Sequence, residues 1–193
     1  DDIKLFIQYG MLSDEKFYDR AVGFALLKNL DSKYFTFDEY KAQVKDNQTD
    51  KNGDLIVLYA QDADASYAYI QRAKEKGYDV LLMDGELDVH AMSQYEQKSF
   101  EATDGSKLAV RFVRVDSDVI ENIIQKEDKA KVELTENEEN ALRFSFETLL
   151  PKTDKTRYDV SLEAVSADAL PVFLTQNEFM RRMKEMSIHQ QGM

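Results

Sequence analysis

The sequence has no cysteine and no tryptophan, and only two prolines, two histidines and seven glycines in 193 residues. Without cysteine there is no disulfide, no thiolate nucleophile and no thiolate metal site. That fits a reducing compartment and equally a cysteine-poor secreted protein. His90 and His189 stand far apart in the chain, so a tetrahedral zinc site would have to rest on carboxylates. The glycines fall at 10, 23, 53, 77, 85, 105 and 192, which leaves no Gly-x-Gly and therefore neither a dinucleotide fingerprint nor a P-loop. The Gly-x-Ser-x-Gly elbow of serine hydrolases is absent too. No apolar run approaches the ~20 residues that span a bilayer, so no membrane anchor is expected. Positive charge is also scarce: 25 Lys and Arg face 37 Asp and Glu, a formal charge of −12. That balance argues against binding nucleic acid or an anionic membrane surface.

What the chain does have is enough apolar content, 43%, to build a core. It begins on Asp1-Asp2 and runs directly into Ile3-Lys4-Leu5-Phe6-Ile7, with neither an initiator methionine nor a signal segment, so a piece of a longer protein is expected. Apolar residues at helical spacing predict two helices between Ile3 and about Lys28, the second starting at Ser13-Asp14-Glu15, and a third from Phe37 to Val44. The polar stretch from Lys45 to Gly53 marks a first boundary. Leu55-Ile56-Val57-Leu58-Tyr59 then reads as a buried strand, Ser66 to Lys76 as a helix ended by Gly77, and Asp79 to Met83 as a second buried strand. This is a βαβ unit on a parallel sheet. A helix over Leu87 to Gln97 follows, and Asp104-Gly105 ahead of Leu108 to Val115 suggests a hairpin. Charged residues near 125–131 mark a second boundary. Beyond it, Thr135 with Glu138 predicts a capping box, with Leu142, Phe146 and Leu149 as the apolar stripe of a helix closed by Pro151. Strands over Tyr158 to Val165 and Leu170 to Leu174 and a last helix from Gln176 to about Ile188 complete the reading. The fold class is α/β: a helical coil, a small three-layer αβα subdomain, and a truncated α+β segment.

Three local patterns invite chemistry. Gln48 to Gly53 has Asp50, Asn52 and Gly53 where half of a calcium loop would have them, but positions 1 and 12 would be Gln48 and Tyr59, and a plain turn is the reading. Asp62-Ala63-Asp64-Ala65-Ser66 after the first buried strand resembles the Asp-x-Asp motif of haloacid-dehalogenase-type phosphohydrolases. There Asp62 would be nucleophile and Asp64 acid/base around Mg²⁺, with Asp84 and Asp88 completing the metal site. The alternative is a solvated acidic loop in which Asp64 caps the helix through Ser66. The last helix carries Phe179, Met183 and Met186 on a narrow arc, Met180 at its edge, and Arg181, Arg182, Lys184 and Glu185 opposite. A methionine-rich stripe is either core or a surface that accepts varied apolar partners.

Several strings together resemble the heat-shock protein 90 chaperone family. They are Ile3-Lys4-Leu5-Phe6-Ile7-Gln8-Tyr9-Gly10, Tyr34-Phe35-Thr36-Phe37-Asp38-Glu39-Tyr40, Lys76-Gly77-Tyr78-Asp79-Val80-Leu81-Leu82-Met83, Leu87-Asp88, and Pro171-Val172-Phe173-Leu174. The resemblance implies that residues 1–50 are the helical coil of the family's middle domain, 51–126 its small αβα subdomain, and 127–193 the start of its C-terminal domain. It also implies a cytoplasmic chaperone that binds unfolded client proteins. Client contact would fall on Phe179, Met180, Met183 and Met186, with His90 in a second contact region. The ATP and Mg²⁺ site and the homodimerisation helices of the parent protein would lie outside these residues, leaving no cofactor, metal or catalytic residue in this chain. An acidic scaffold domain binding one folded partner is the remaining alternative.

Overall fold

A computed structural model of the chain describes residues 3–101, 109–118, 120–126, 134–153, 156–164, 171–176 and 178–191, with the side chains at 100, 101, 185, 186 and 188–191 outside that description. Two compact units are present, one formed by residues 1–126 with 172–193 and the other by 127–171.

In the first unit, α1 (Lys4–Ser13) and α2 (Glu15–Ala21) meet at Asp14, whose carboxylate accepts from the Phe17 amide at 3.0 Å and caps α2. The second helix stops at Ala21 rather than reaching Lys28. Leu27–Lys28 (β1) instead pairs antiparallel with Tyr34–Phe35 (β2), a two-residue ribbon too short to leave a period in the sequence. The third helix, α3 (Phe37–Gln48), is capped by a complete Thr36/Glu39 box.

The sheet is three-stranded, in the order β4-β3-β5, from Leu55–Ala60 (β3), Val80–Leu82 (β4) and Val110–Arg114 (β5). Both neighbours of β3 run parallel to it. From β3 the chain crosses to β4 through α4 (Tyr67–Glu75). It then returns past β3 to β5 through α5 (Asp88–Glu101), so crossovers of one hand must place α4 and α5 on opposite faces. The cores show this arrangement. Leu55, Val57 and Tyr59 face α3 and α5 with Tyr40, Met92 and Tyr95, while Ile56, Leu58 and Ala60 face α4 and α6 (Ile120–Ile123) with Ile70 and Ile124. All six residues of β3 are buried, which is why its sequence is a continuous apolar run. The sheet and its helix layers make the α/β fold.

Helix α4 ends in a Schellman motif. Gly77 at φ +76° lets its own amide reach Lys74 O at 2.9 Å and the Tyr78 amide reach Ala73 O at 3.0 Å. The coil is tied to the sheet by polar staples. Gln48, fully buried, donates to Ile56 O at 2.8 Å and accepts from the Asp79 amide at 2.7 Å. The Asp79 carboxylate collects Asn29, Tyr40 and Gln43. On the other side Asp88, also fully buried, holds Lys4 Nζ at 3.0 Å, Gln8 Nε2 at 2.6 Å and the Gly85 amide at 2.8 Å, fastening α1 to the start of α5.

Three expectations change. Phe100 and Glu101 belong to the end of α5, and β5 pairs in parallel with β3, so the run before β5 is helix and not the first arm of a hairpin; Asp104-Gly105 lies outside the described residues. The described residues of Tyr158 to Val165 and of Leu170 to Leu174 form no strand. A strand needs a neighbour to take its amides and carbonyls, and no second strand stands beside either segment among the described residues. In the second unit α7 (Glu136–Leu149) carries the expected Thr135/Glu138 capping box, yet has no buried residue, and its Leu142, Phe146 and Leu149 stripe is exposed.

Candidate functional site

Helix α8 (Glu178–Gln191) is the element on which the expected binding residues fall. An amphipathic helix ordinarily turns its apolar face inward. Here the faces are exchanged. Phe179, Met180 and Met183 are 68%, 65% and 50% exposed, while Arg181 is only 2% exposed. At ~100° per residue Glu178, Arg181 and Arg182 share the arc opposite Met180, and that charged arc is the one seated on the first unit.

The seat is the outer edge of β5 and the end of β3. Because β5 pairs with β3 through its odd-numbered residues, the amides of Val110, Phe112 and Arg114 point away from the sheet. Each is met by a side chain: Val110 N by Ser99 Oγ at 3.1 Å, Phe112 N by Glu96 Oε1 at 2.6 Å, and Arg114 N by Glu178 Oε2 at 3.4 Å. The Phe112 carbonyl accepts from Arg182. Side chains of α5 and α8 thus occupy the hydrogen-bonding places of a fourth strand, closing an edge that would otherwise invite pairing with other chains.

Arg182 bridges Glu96 Oε2 at 2.9 Å, Glu96 Oε1 at 3.2 Å and Glu178 Oε1 at 2.7 Å. Arg181 reaches Glu178 and the Tyr59 hydroxyl, and its guanidinium carbon sits 5.6 Å from the centre of the Tyr59 ring. Tyr59 in turn donates to Glu178 Oε1 at 3.0 Å. Burial alone would raise the Glu178 carboxyl, but hydrogen bonds and charge from Arg181 and Arg182 hold it below its ordinary range. Burial would lower Arg182, yet Glu96 and Glu178 hold it above its ordinary value. Burial, and then the Glu178 charge, push the Tyr59 hydroxyl far up. Glu178 and Arg182 are therefore ionised, and Tyr59 is a neutral hydroxyl, across the neutral range; the contacts that seat α8 on this edge are ion pairs and hydrogen bonds.

Among the other expected residues, Met186 lies outside the described side chains. His90 is half-buried on α5, six residues before Glu96 and so about 9 Å from it along the helix axis. The phosphohydrolase constellation is not assembled. Asp62 Oδ1 accepts the amides of Asp64 and Ala65 at 2.9 and 3.0 Å, so the turn before α4 is closed by Asp62, not by Asp64 acting through Ser66. Asp88 is spent on Lys4, Gln8 and Gly85. No cluster of three His, Asp or Glu that could hold a metal is present among the described residues. At the calcium-like turn, Asp50 Oδ1 accepts the amides of Asn52 and Asp54. No described helix is long and apolar enough to cross a membrane.

The residues not anticipated are Tyr59, Glu96, Glu178, Arg181 and Arg182 as a cluster; the one signal was Glu178 at i−3 and i−4 from two arginines. A second apolar surface was also missed. Ile3, Ile7, Phe24, Leu26, Leu27 and Tyr34 line a cleft of ≈ 590 Å³ against α1.

Comparison with known proteins bears on what the chain as a whole resembles. No protein-family model matches the chain. All 193 residues align with Chaperone protein HtpG of Bacteroides fragilis strain YCH46 at 50% identity, and with that of Bacteroides thetaiotaomicron also at 50%. This chain matches a region of HtpG. The Porphyromonas gingivalis HtpG aligns over the same 193 residues at 46% identity. The chain spans 27% of the length of these HtpG relatives.

Proposed function

We propose that this chain is a client-contacting region of an HtpG-type chaperone and that it binds unfolded or partly folded proteins through the outward face of α8. The observation that carries this reading is the exchange of faces. Burying a Phe or Met side chain contributes roughly 1.5–3 kcal/mol, and three of them are left to solvent while two arginines are turned inward. Thioethers adapt to irregular apolar shapes, so Phe179, Met180, Met183 and, by its place on the wheel, Met186 suit weak, sequence-tolerant binding. His90 would extend the contact along α5. The acidic balance of the chain disfavours acidic clients.

In the whole protein, 1–50 would be the coil and 51–126 the small subdomain of the middle domain, and 127–193 the opening of the C-terminal domain. ATP and Mg²⁺, bound elsewhere in a cytoplasmic homodimer, would alter how such faces meet.

The test is a fluorescence-anisotropy titration of a labelled, permanently unfolded protein with this chain and with Met183→Glu. The variant should bind at least about tenfold more weakly, since it loses apolar contact and would desolvate a charge, with an unchanged far-ultraviolet circular dichroism spectrum. Equal binding by the two would overturn the reading.

A further inference from the structure

Besides Glu178 of α8 itself, the groups that hold the two arginines of α8 belong to the sheet and to α5. Glu96 is aimed along the β5 edge by its bond to the Phe112 amide at 2.6 Å, and its two oxygens lie 2.9 and 3.2 Å from the Arg182 guanidinium. The Phe112 carbonyl completes a three-oxygen fork that fits a guanidinium and not an ammonium. Beside it the fully buried Tyr59 offers a hydroxyl and a ring face. A cleft of ≈ 550 Å³ opens along this edge, with Phe112, Val113 and Ile123 for apolar contact. Apart from α8, its charged lining is Asp50, Glu96 and Asp118 against Arg111 alone. The seat is thus acidic with apolar walls, and what α8 turns into it is Arg181 and Arg182 with Glu178 between them and the β5 edge, Phe179 lying at the cleft's rim.

We propose that this seat is a receptor for arginine-bearing apolar segments, filled here in cis by α8, and that such segments of unfolded proteins compete with α8 for it. The inference rests on the chaperone reading for the source of the segments and adds their chemistry: arginine flanked by apolar side chains. It also makes α8 a strap over the site whose displacement frees the β5 edge.

The probes are a fluorescein-labelled peptide copying residues 178–187 and the same peptide with both arginines replaced by glutamine. They are titrated into the full chain, into Arg181→Ala/Arg182→Ala, and into that variant with Glu96→Gln added. The emptied chain should bind the arginine peptide at least about tenfold more tightly than the unsubstituted chain does, the glutamine peptide should show no gain, and Glu96→Gln should remove it. Equal affinity for the two peptides, or no gain on emptying the seat, overturns the proposal. If the double variant loses its circular dichroism signal, Arg182→Lys takes its place: its ammonium cannot fork, so a smaller gain of the same sign is expected and its absence counts against the receptor. Loss of peptide binding while Met183→Glu still weakens capture of the unfolded protein sinks the receptor alone. Peptide binding with an inert Met183→Glu sinks the client reading alone.

Discussion

Replacing Arg182 with alanine should loosen α8 while the core of the sheet stays folded. Its guanidinium reaches Glu96 at 2.9 and 3.2 Å, Glu178 at 2.7 Å, and the Phe112 carbonyl. Deleting one partner of a fully buried pair costs about 3–5 kcal/mol, and an exposed pair is worth about 0–1 kcal/mol. The side chains of Arg182, Glu96 and Glu178 are 14%, 21% and 23% accessible, nearer the buried limit. A loss of roughly 2–3 kcal/mol in the local stability of α8 follows, which is roughly a 30- to 150-fold faster amide exchange in residues 178–191. Hydrogen–deuterium exchange read by mass spectrometry gives the answer, with residues 55–58 of β3 as internal control, since α8 meets β3 at Tyr59. Arg182→Lys, which keeps the charge but not the fork, should fall between. Unchanged exchange in α8 of Arg182→Ala would show that something other than this cluster holds the helix.

Acid should act on the same contact. Glu178 has a folded-state pKa held below its unfolded value, so its contribution is present above the unfolded value and is lost as pH falls through the folded one. Exchange in α8 should therefore accelerate below about pH 4.5 before the sheet opens, and simultaneous opening of both would contradict this. Asp88→Ala leaves the Gly85 amide and Gln8 without their acceptor and should cost roughly 2–3 kcal/mol in urea unfolding; a loss under about 0.5 kcal/mol would contradict its role as staple. Gly10→Ala would bring a Cβ to 2.7 Å from the Phe17 ring, but that side chain is 38% exposed and can turn aside. Alanine also adds about 1 kcal/mol to a helix interior, so the melting temperature should shift by the equivalent of less than about 1 kcal/mol, and a larger loss would show that the ring is fixed. Thr135→Ala removes one half of the α7 capping box and should lower helix stability by about 1 kcal/mol, seen as reduced ellipticity at 222 nm.

Local chemistry made much of this fold legible. Five of the six buried residues of β3, Leu55 to Tyr59, read as a strand because both faces are covered, and Gly77 and Thr135 announced helix ends whose hydrogen bonds are all local, while the Thr36/Glu39 box went unread. Misreadings arose where a distant partner decides. Asp104-Gly105 is turn chemistry, but β5 finds its partner about fifty residues back at Leu55 to Tyr59, in parallel. The two-residue strands β1 and β2 are defined only by each other. The stripe at Phe179, Met180 and Met183 was visible, whereas its direction was not. Helical periodicity locates an apolar face and cannot say whether a better-bonded charged face will displace it from the interior. That choice depends on Tyr59 and Glu96, more than eighty residues earlier in the chain.

Paramagnetic relaxation of methionine methyl resonances by a soluble, uncharged gadolinium chelate tests most directly whether α8 is held by its charges with its methionines outward. Met180 and Met183 should be strongly broadened and Met11, Met83 and Met92, each 3% exposed or less, left sharp. Methyls of Met180 and Met183 as protected as those of Met83 and Met92 would place the stripe in the core and contradict both the orientation of α8 and the binding role built on it.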